Sequence, residues 1–194
     1  VDATGASATE TPDTSGEIVV TAQKRAERIQ DVPVSITAFT GEALERAQIG
    51  SATELARQAP NFRVSVLGNE DQPKFSIRGV STSDFNLNTA SPTGVFYDEV
   101  YVASQALGGS SLFDVERIEV LRGPQGTLFG KNTTGGAVSI ITRAPSMEAD
   151  VSGYINVQAG NNDYFHADGA LDVPLVQDRL GMRIAFTTSS SKGW

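Results

Sequence analysis

The chain has 194 residues, a formal net charge of −8 and no cysteine: room for one substantial core, or a small domain with an appendage. The acidity, with no dense basic patch, argues against nucleic-acid binding, and the missing cysteines exclude a disulfide scaffold and thiolate metal ligands. His166 is the single histidine, so a histidine-rich metal site is ruled out, and the longest apolar runs fall far short of the ~18 residues of a membrane helix, so a membrane role would have to use strands.

Residues 1–16 are Ala, Thr, Ser, Asp, Glu, Gly and Pro with almost nothing to bury, the composition of a flexible tail. No basic segment followed by an apolar run opens the chain, which fits a mature exported protein as well as a cytoplasmic one. Residues 17–22, EIVVTA, form a short β-prone patch, read either as an ordinary first strand or as an exposed strand able to pair with the edge of another protein's sheet.

Alternation predicts a strand over residues 32–39, with Val32, Val34, Ile36 and Ala38 on one face and Pro33 near its start, where a missing N–H is tolerated. Thr40 is placed to cap a helix over residues 41–47. Ser51 and Glu54 stand at capping-box spacing for a second helix that Pro60 stops. Phe62, Val64 and Val66 mark a further strand, and Phe75 and Ile77 another. Residues 81–93 read as a long polar loop. Residues 95–97 and 100–102 flank Asp98-Glu99 as a hairpin, although the favoured Asn-Gly or Asp-Gly pair is missing.

Residues 113–143 hold two strand patterns around a glycine-dense turn. In the first, Ile118 and Val120 face one way and Arg117, Glu119 and Leu121 the other. Gly123, Gly126, Gly130, Gly135 and Gly136 then supply positive φ or close backbone approach. A phosphate-binding loop is rejected here, because Gln125 stands where the first glycine belongs and Asn132 where a magnesium-binding hydroxyl belongs. The α and β segments interleave too irregularly for repeated βαβ units, so an α+β domain over residues 31–143 is expected, with a small mixed β-sheet and short helices.

Beyond a linker at 144–150, residues 151–194 alternate strictly. Val151, Gly153, Ile155 and Val157 oppose Tyr154 and Asn156. Phe165, Ala167 and Leu171 oppose His166, Asp168 and Asp172, and Leu180, Met182, Ile184 and Phe186 oppose Arg183. Such segments fit either tilted membrane-crossing strands or a soluble sheet with one wet face. His166 reads as a lone histidine on a polar face, and Asp168 and Asp172 do not form a calcium loop.

The stretch RIEVLRGPQGTLFGKNTTGGAVSIIT resembles the signature at the end of the plug domain of TonB-dependent outer-membrane receptors. EIVVTAQKR with QDVPVSITAFTGEAL resembles their coupling box and the strand after it. FSIRGV, GVFYDEVYV and AGNNDYFHADGALDVPLVQDRLGMRIAF follow in family order, so the similarity covers residues 17–194. The resemblance implies a plug inside a barrel of about 22 strands in the outer membrane of a Gram-negative bacterium. It implies energy-coupled uptake of a scarce small-molecule substrate, with a ferric siderophore or similar chelate expected, rather than enzyme catalysis. The coupling protein TonB would be the inner-membrane partner, bound through Ile18, Val19, Val20 and Thr21 in a segment spanning 17–30. Residues 151–194 become the first transmembrane β-barrel strands, with a periplasmic turn over 174–179. Because three strands cannot close a barrel, Trp194 is expected to lie early in a longer protein.

The same resemblance assigns Arg78, Arg117, Glu119 and Arg122 to plug–barrel contacts, since arginine's planar fork suits carboxylates lining a lumen. Asp71, Gln72, Asp84, Asn86, Asn88 and Gln105 stand in candidate substrate loops. Neither a cofactor nor a resident metal is expected. The rival reading is a soluble periplasmic or surface-exposed α+β ligand-binding module.

Overall fold

The computed structural model describes residues 18–66, 73–82, 84, 89–103, 112–147, 150–161 and 163–192. The expected tail at 1–16, the loop positions Asp71, Gln72, Asn86, Asn88 and Gln105, and Trp194 lie outside the described residues.

Near the N-terminus, β1 (Val19–Val20) pairs antiparallel with β2 (Glu27–Arg28), and β3 (Ser35–Thr40) follows. The last strand starts later than the alternation from residue 32 predicts. Val32 and Val34 still pack inward, while Pro33 lacks the donor a ladder needs. The Thr40 hydroxyl accepts the Ala43 N–H at 3.3 Å and caps α1 (Gly41–Arg46). In α2 (Ala52–Gln58) the capping box is complete: the Ser51 hydroxyl accepts from Glu54 N–H at 3.3 Å, and the Glu54 carboxylate accepts from Ser51 N–H at 3.2 Å. Replacing Ser51 with Ala should lower the stability of this α+β domain by about 1 kcal/mol, measured as a lower denaturant midpoint. An unchanged midpoint would show the cap to be idle.

A separate hairpin, β4 (Phe62–Val66) with β5 (Pro73–Ile77), stacks Phe62 on Phe75 with centroids 5.7 Å apart. Next come β6 (Thr93–Tyr97) and β7 (Val100–Tyr101), joined through Asp98 and Glu99 at φ of 45° and 69°. Both turn residues are therefore left-handed, the geometry usually given to Asn-Gly. Tertiary bonds hold it: the Asp98 carboxylate accepts the Thr142 N–H at 2.9 Å and its hydroxyl at 2.8 Å.

Two central strands, β8 (Val115–Arg122) and β9 (Gly136–Thr142), complete a five-stranded sheet of order β3-β8-β9-β6-β7. It is mixed, because β6 runs parallel to β9 while the other neighbours are antiparallel. On one face Ile118, Val120, Val138 and Ile140 bury against α1, α2 and the β4-β5 hairpin. On the other, Leu121, Ala137 and Phe96 bury against Val20, Ala22 and Val32. The N-terminal segment thus roofs one side of the sheet.

The glycine-dense turn contains α3 (Gly126–Phe129), which the alternation did not predict. Gly123, Gly130 and Gly136 do adopt positive φ. At Gly136 a Cβ would stand 2.3 Å from the Leu121 carbonyl oxygen, so the close approach of β8 needs glycine. Gly126 corrects the expectation: it has no positive φ and open space around it, and serves as the first residue of α3.

The last three strands, β10 (Ser152–Ala159), β11 (Phe165–Val176) and β12 (Leu180–Ser190), form an antiparallel meander. Ile155, Val157, Phe165, Leu171, Ile184 and Phe186 are all exposed, whereas Asp172 on the opposite face is 6% exposed. Apolar side chains out and polar ones in is the arrangement of a barrel wall in lipid. No described helix is long and apolar enough to cross a membrane.

Candidate functional site

The β-prone segment does not stand free, as the exposed-strand reading expected. Val20 is 0% exposed in the roof over Leu121 and Phe96, and only Val19 is turned outward. The Ile18 carbonyl accepts from Ile29 N–H at 3.0 Å, so Ile18 and Val20 spend their backbone groups on β2. By antiparallel alternation, Val19 turns both of its backbone groups to the opposite edge and Thr21 its N–H, while the Thr21 carbonyl accepts from Lys24 N–H at 2.9 Å. That edge is partly closed: the Thr21 N–H donates to Glu119 Oε1 at 2.7 Å, and the Thr21 hydroxyl lies 3.2 Å from the same oxygen.

Glu119 itself is fully buried, and its partner Arg117 donates through Nε at 2.9 Å. Arg117 also pairs with Glu116 and reaches the Thr21 hydroxyl at 3.3 Å. Arg117 and Glu119, expected at plug–barrel contacts, lie on the roofed face of β8, where both bond to Thr21 of the N-terminal segment. Lys24 adds a second tether, 3.3 Å from Glu99 and 4.9 Å from the Phe129 ring centroid.

Arg78 and Arg122 behave differently. Arg122 Nε donates to the Pro60 carbonyl at 3.0 Å, Nη1 to Ser35 at 3.2 Å and Nη2 to Thr37. All three acceptors are neutral, so the charge has no carboxylate partner among the described residues. Burial and neighbouring Arg78 hold the Arg122 guanidinium below its usual pKa. Arg78, exposed and at φ 53°, lines with Arg63 a polar cavity of about 410 Å³. In a chain of net charge −8, this is a cationic patch with no carboxylate partner among the described residues.

Among the described residues, the contacts between the α+β unit and β10–β12 are made by other side chains. Arg183 on β12 grips the Asp114 carboxylate with both Nε, at 2.8 Å, and Nη2, and reaches Asp172 with Nη1. Tyr154 on β10 donates to Asp114 at 3.3 Å. Sequence reading missed Asp114, Tyr154 and Arg183, because no spacing signal joins residues 69 apart in the chain. His166 lies 3.3 Å from Asp168, and the described residues contain no cluster of His, Cys, Asp and Glu able to hold a metal. Of the substrate-loop residues only Asp84 is described; its carboxylate accepts from Thr89 at 2.5 Å and its carbonyl from Lys74.

A mixed α+β unit seated on a lipid-suited wall, with a β-prone tether at its N-terminus, defines a plugged outer-membrane barrel protein. The chain matches the family model of the TonB-dependent receptor plug domain over residues 28–137, and it belongs to the TonB-dependent receptors. It is 32% identical to the pesticin receptor of Yersinia pestis over 84% of this chain and 24% of that protein. It is 35% identical to the iron-regulated outer membrane virulence protein of Vibrio cholerae over 70% of this chain and 21% of that one. Among solved structures, the ferric yersiniabactin uptake receptor FyuA of Yersinia pestis superposes with a TM-score of 0.70 at 30% identity, covering 79% of this chain and 24% of the other. The chain thus spans about a quarter of the length of these relatives.

Proposed function

We propose that this chain is the coupling segment (17–30), plug (31–143), linker (144–150) and first wall strands (151–194) of a receptor that takes up a ferric chelate across the outer membrane. Energy enters through the inner-membrane protein TonB, which adds a strand to residues 18–21. The observation that carries this reading is the seating of those residues: a strand with one edge spent on β2 and the other turned outward, latched at Thr21 by the Glu119 carboxylate. The names of the relatives support the substrate class, since one is iron-regulated and another takes up ferric yersiniabactin. A soluble binding module does not account for a sheet with six large apolar side chains exposed on one face.

Transport in this scheme needs no covalent chemistry. The plug blocks the lumen while the coupling segment roofs its sheet. Strand addition by the partner draws that roof away, and the chelate passes. Val19→Pro is the sharpest test, because Val19 is 47% exposed and its N–H points to the outward edge. Proline removes that donor without touching the buried Val20. In cells expressing the full-length receptor, uptake of a panel of iron-55-labelled siderophores should fall at least about tenfold, the loss of one strand-pairing hydrogen bond with strand geometry, while surface binding persists. Unchanged uptake, or equal loss of binding, would contradict the coupling role.

A further inference from the structure

The junction around Asp114 joins more elements than a single ion pair. Asp114 stands at φ 53° just before β8, and its carbonyl accepts from Arg143 N–H at 3.1 Å just after β9. Its carboxylate takes the fork of Arg183 and the hydroxyl of Tyr154. Asp172, the second carboxylate on Arg183, also accepts the linker's Ser146 N–H at 3.1 Å. Arg143 reaches back to Glu45 on α1 at 2.7 Å and lies 5.8 Å from the Tyr154 ring centroid. The side chains of Arg183, Asp114 and Asp172 are each at most 10% exposed. This contact is a bidentate ion pair, whereas the Thr21–Glu119 latch is a pair of bonds from neutral donors to one carboxylate oxygen.

We propose that Asp114, Arg183, Tyr154 and Asp172 form a standing anchor that makes β8, β9 and the β10–β12 wall one body. Passage through the barrel then opens on the roofed face of the sheet, by movement of the segment at residues 18–34 off Leu121, Ala137 and Phe96. None of the anchor's bonds reaches that segment. The proposal rests on the coupling reading above for what pulls, but the anchor itself does not.

Hydrogen exchange on the full-length receptor, alone and saturated with the periplasmic domain of TonB, requires no variant. Amides of β8 and β9 should keep their protection within about twofold, while those of residues 18–34 exchange at least about tenfold faster. A tenfold loss in β8 and β9 on adding the domain would overturn the anchor. No change anywhere would count against the coupling reading alone, and a double-mutant cycle then decides the anchor. Asp114→Ala and Arg183→Ala should each speed exchange at β8 and β9 at least about tenfold, with the double variant no worse than the poorer single one. Additive losses would overturn the anchor.

Discussion

Glu119→Ala in the full-length receptor is expected to raise the affinity of the TonB periplasmic domain for the substrate-free receptor roughly ten- to a hundredfold. The Thr21 N–H donates to a fully buried carboxylate at 2.7 Å, and a hydrogen bond to a charged group is worth about 1.5–3 kcal/mol. Removing the acceptor leaves that donor unpaired in the docked state and free in the released one, so the released state gains. Arg117 keeps Glu116 as a partner and does not become a second uncompensated charge. Glu119→Gln, which still offers an oxygen but no charge, should fall between Ala and wild type. Titrating the purified domain against each variant measures this directly. Equal affinity for all three would remove Glu119 from control of the segment.

Arg122 separates two roles by a choice of substitution. Its guanidinium spans Pro60, Ser35 and Thr37, tying edge strand β3 and the end of α2 to β8, while its charge joins Arg78 in a patch without carboxylates among the described residues. Arg122→Ala should speed amide exchange along β3 by about tenfold or more, the loss of charge-assisted bonds worth about 1.5–3 kcal/mol, and should loosen the plug enough to leak small solutes. Arg122→Lys retains the charge but cannot present three donors in one plane. If the cationic patch seats against carboxylates on wall strands beyond this chain, Lys should restore the leak barrier while β3 still exchanges fast. Slow exchange in both variants would show that Arg122 clamps nothing.

Local physics made much of this fold readable before any coordinates. The capping box at Ser51 and Glu54, the Thr40 cap and the alternation of β8 need only near neighbours, and each stands where its spacing placed it. The division of β8 into an apolar face and an Arg117, Glu119, Leu121 face was also legible. What that second face meets was not, because Thr21 lies 98 residues away from Glu119. The resemblance offered a barrel wall as the partner of Glu119; the described residue that meets it is Thr21, in the roof formed by residues 18–34. Asp114 was invisible for the same reason, its partners Tyr154 and Arg183 lying on strands 40 and 69 residues further on. Spacing can name a strand's wet face without naming what covers it.

The roof has a mechanical consequence. When Val20, Ala22 and Val32 lift from Leu121, Ala137 and Phe96, oily surface on both sides meets water, and re-covering each valine recovers about 1.5–3 kcal/mol. Under the coupling proposed above, work done by the puller would be stored as wetted hydrocarbon, the segment acting as a loaded spring. Only the outward stroke would need driving; once the partner let go, the gate would shut by itself.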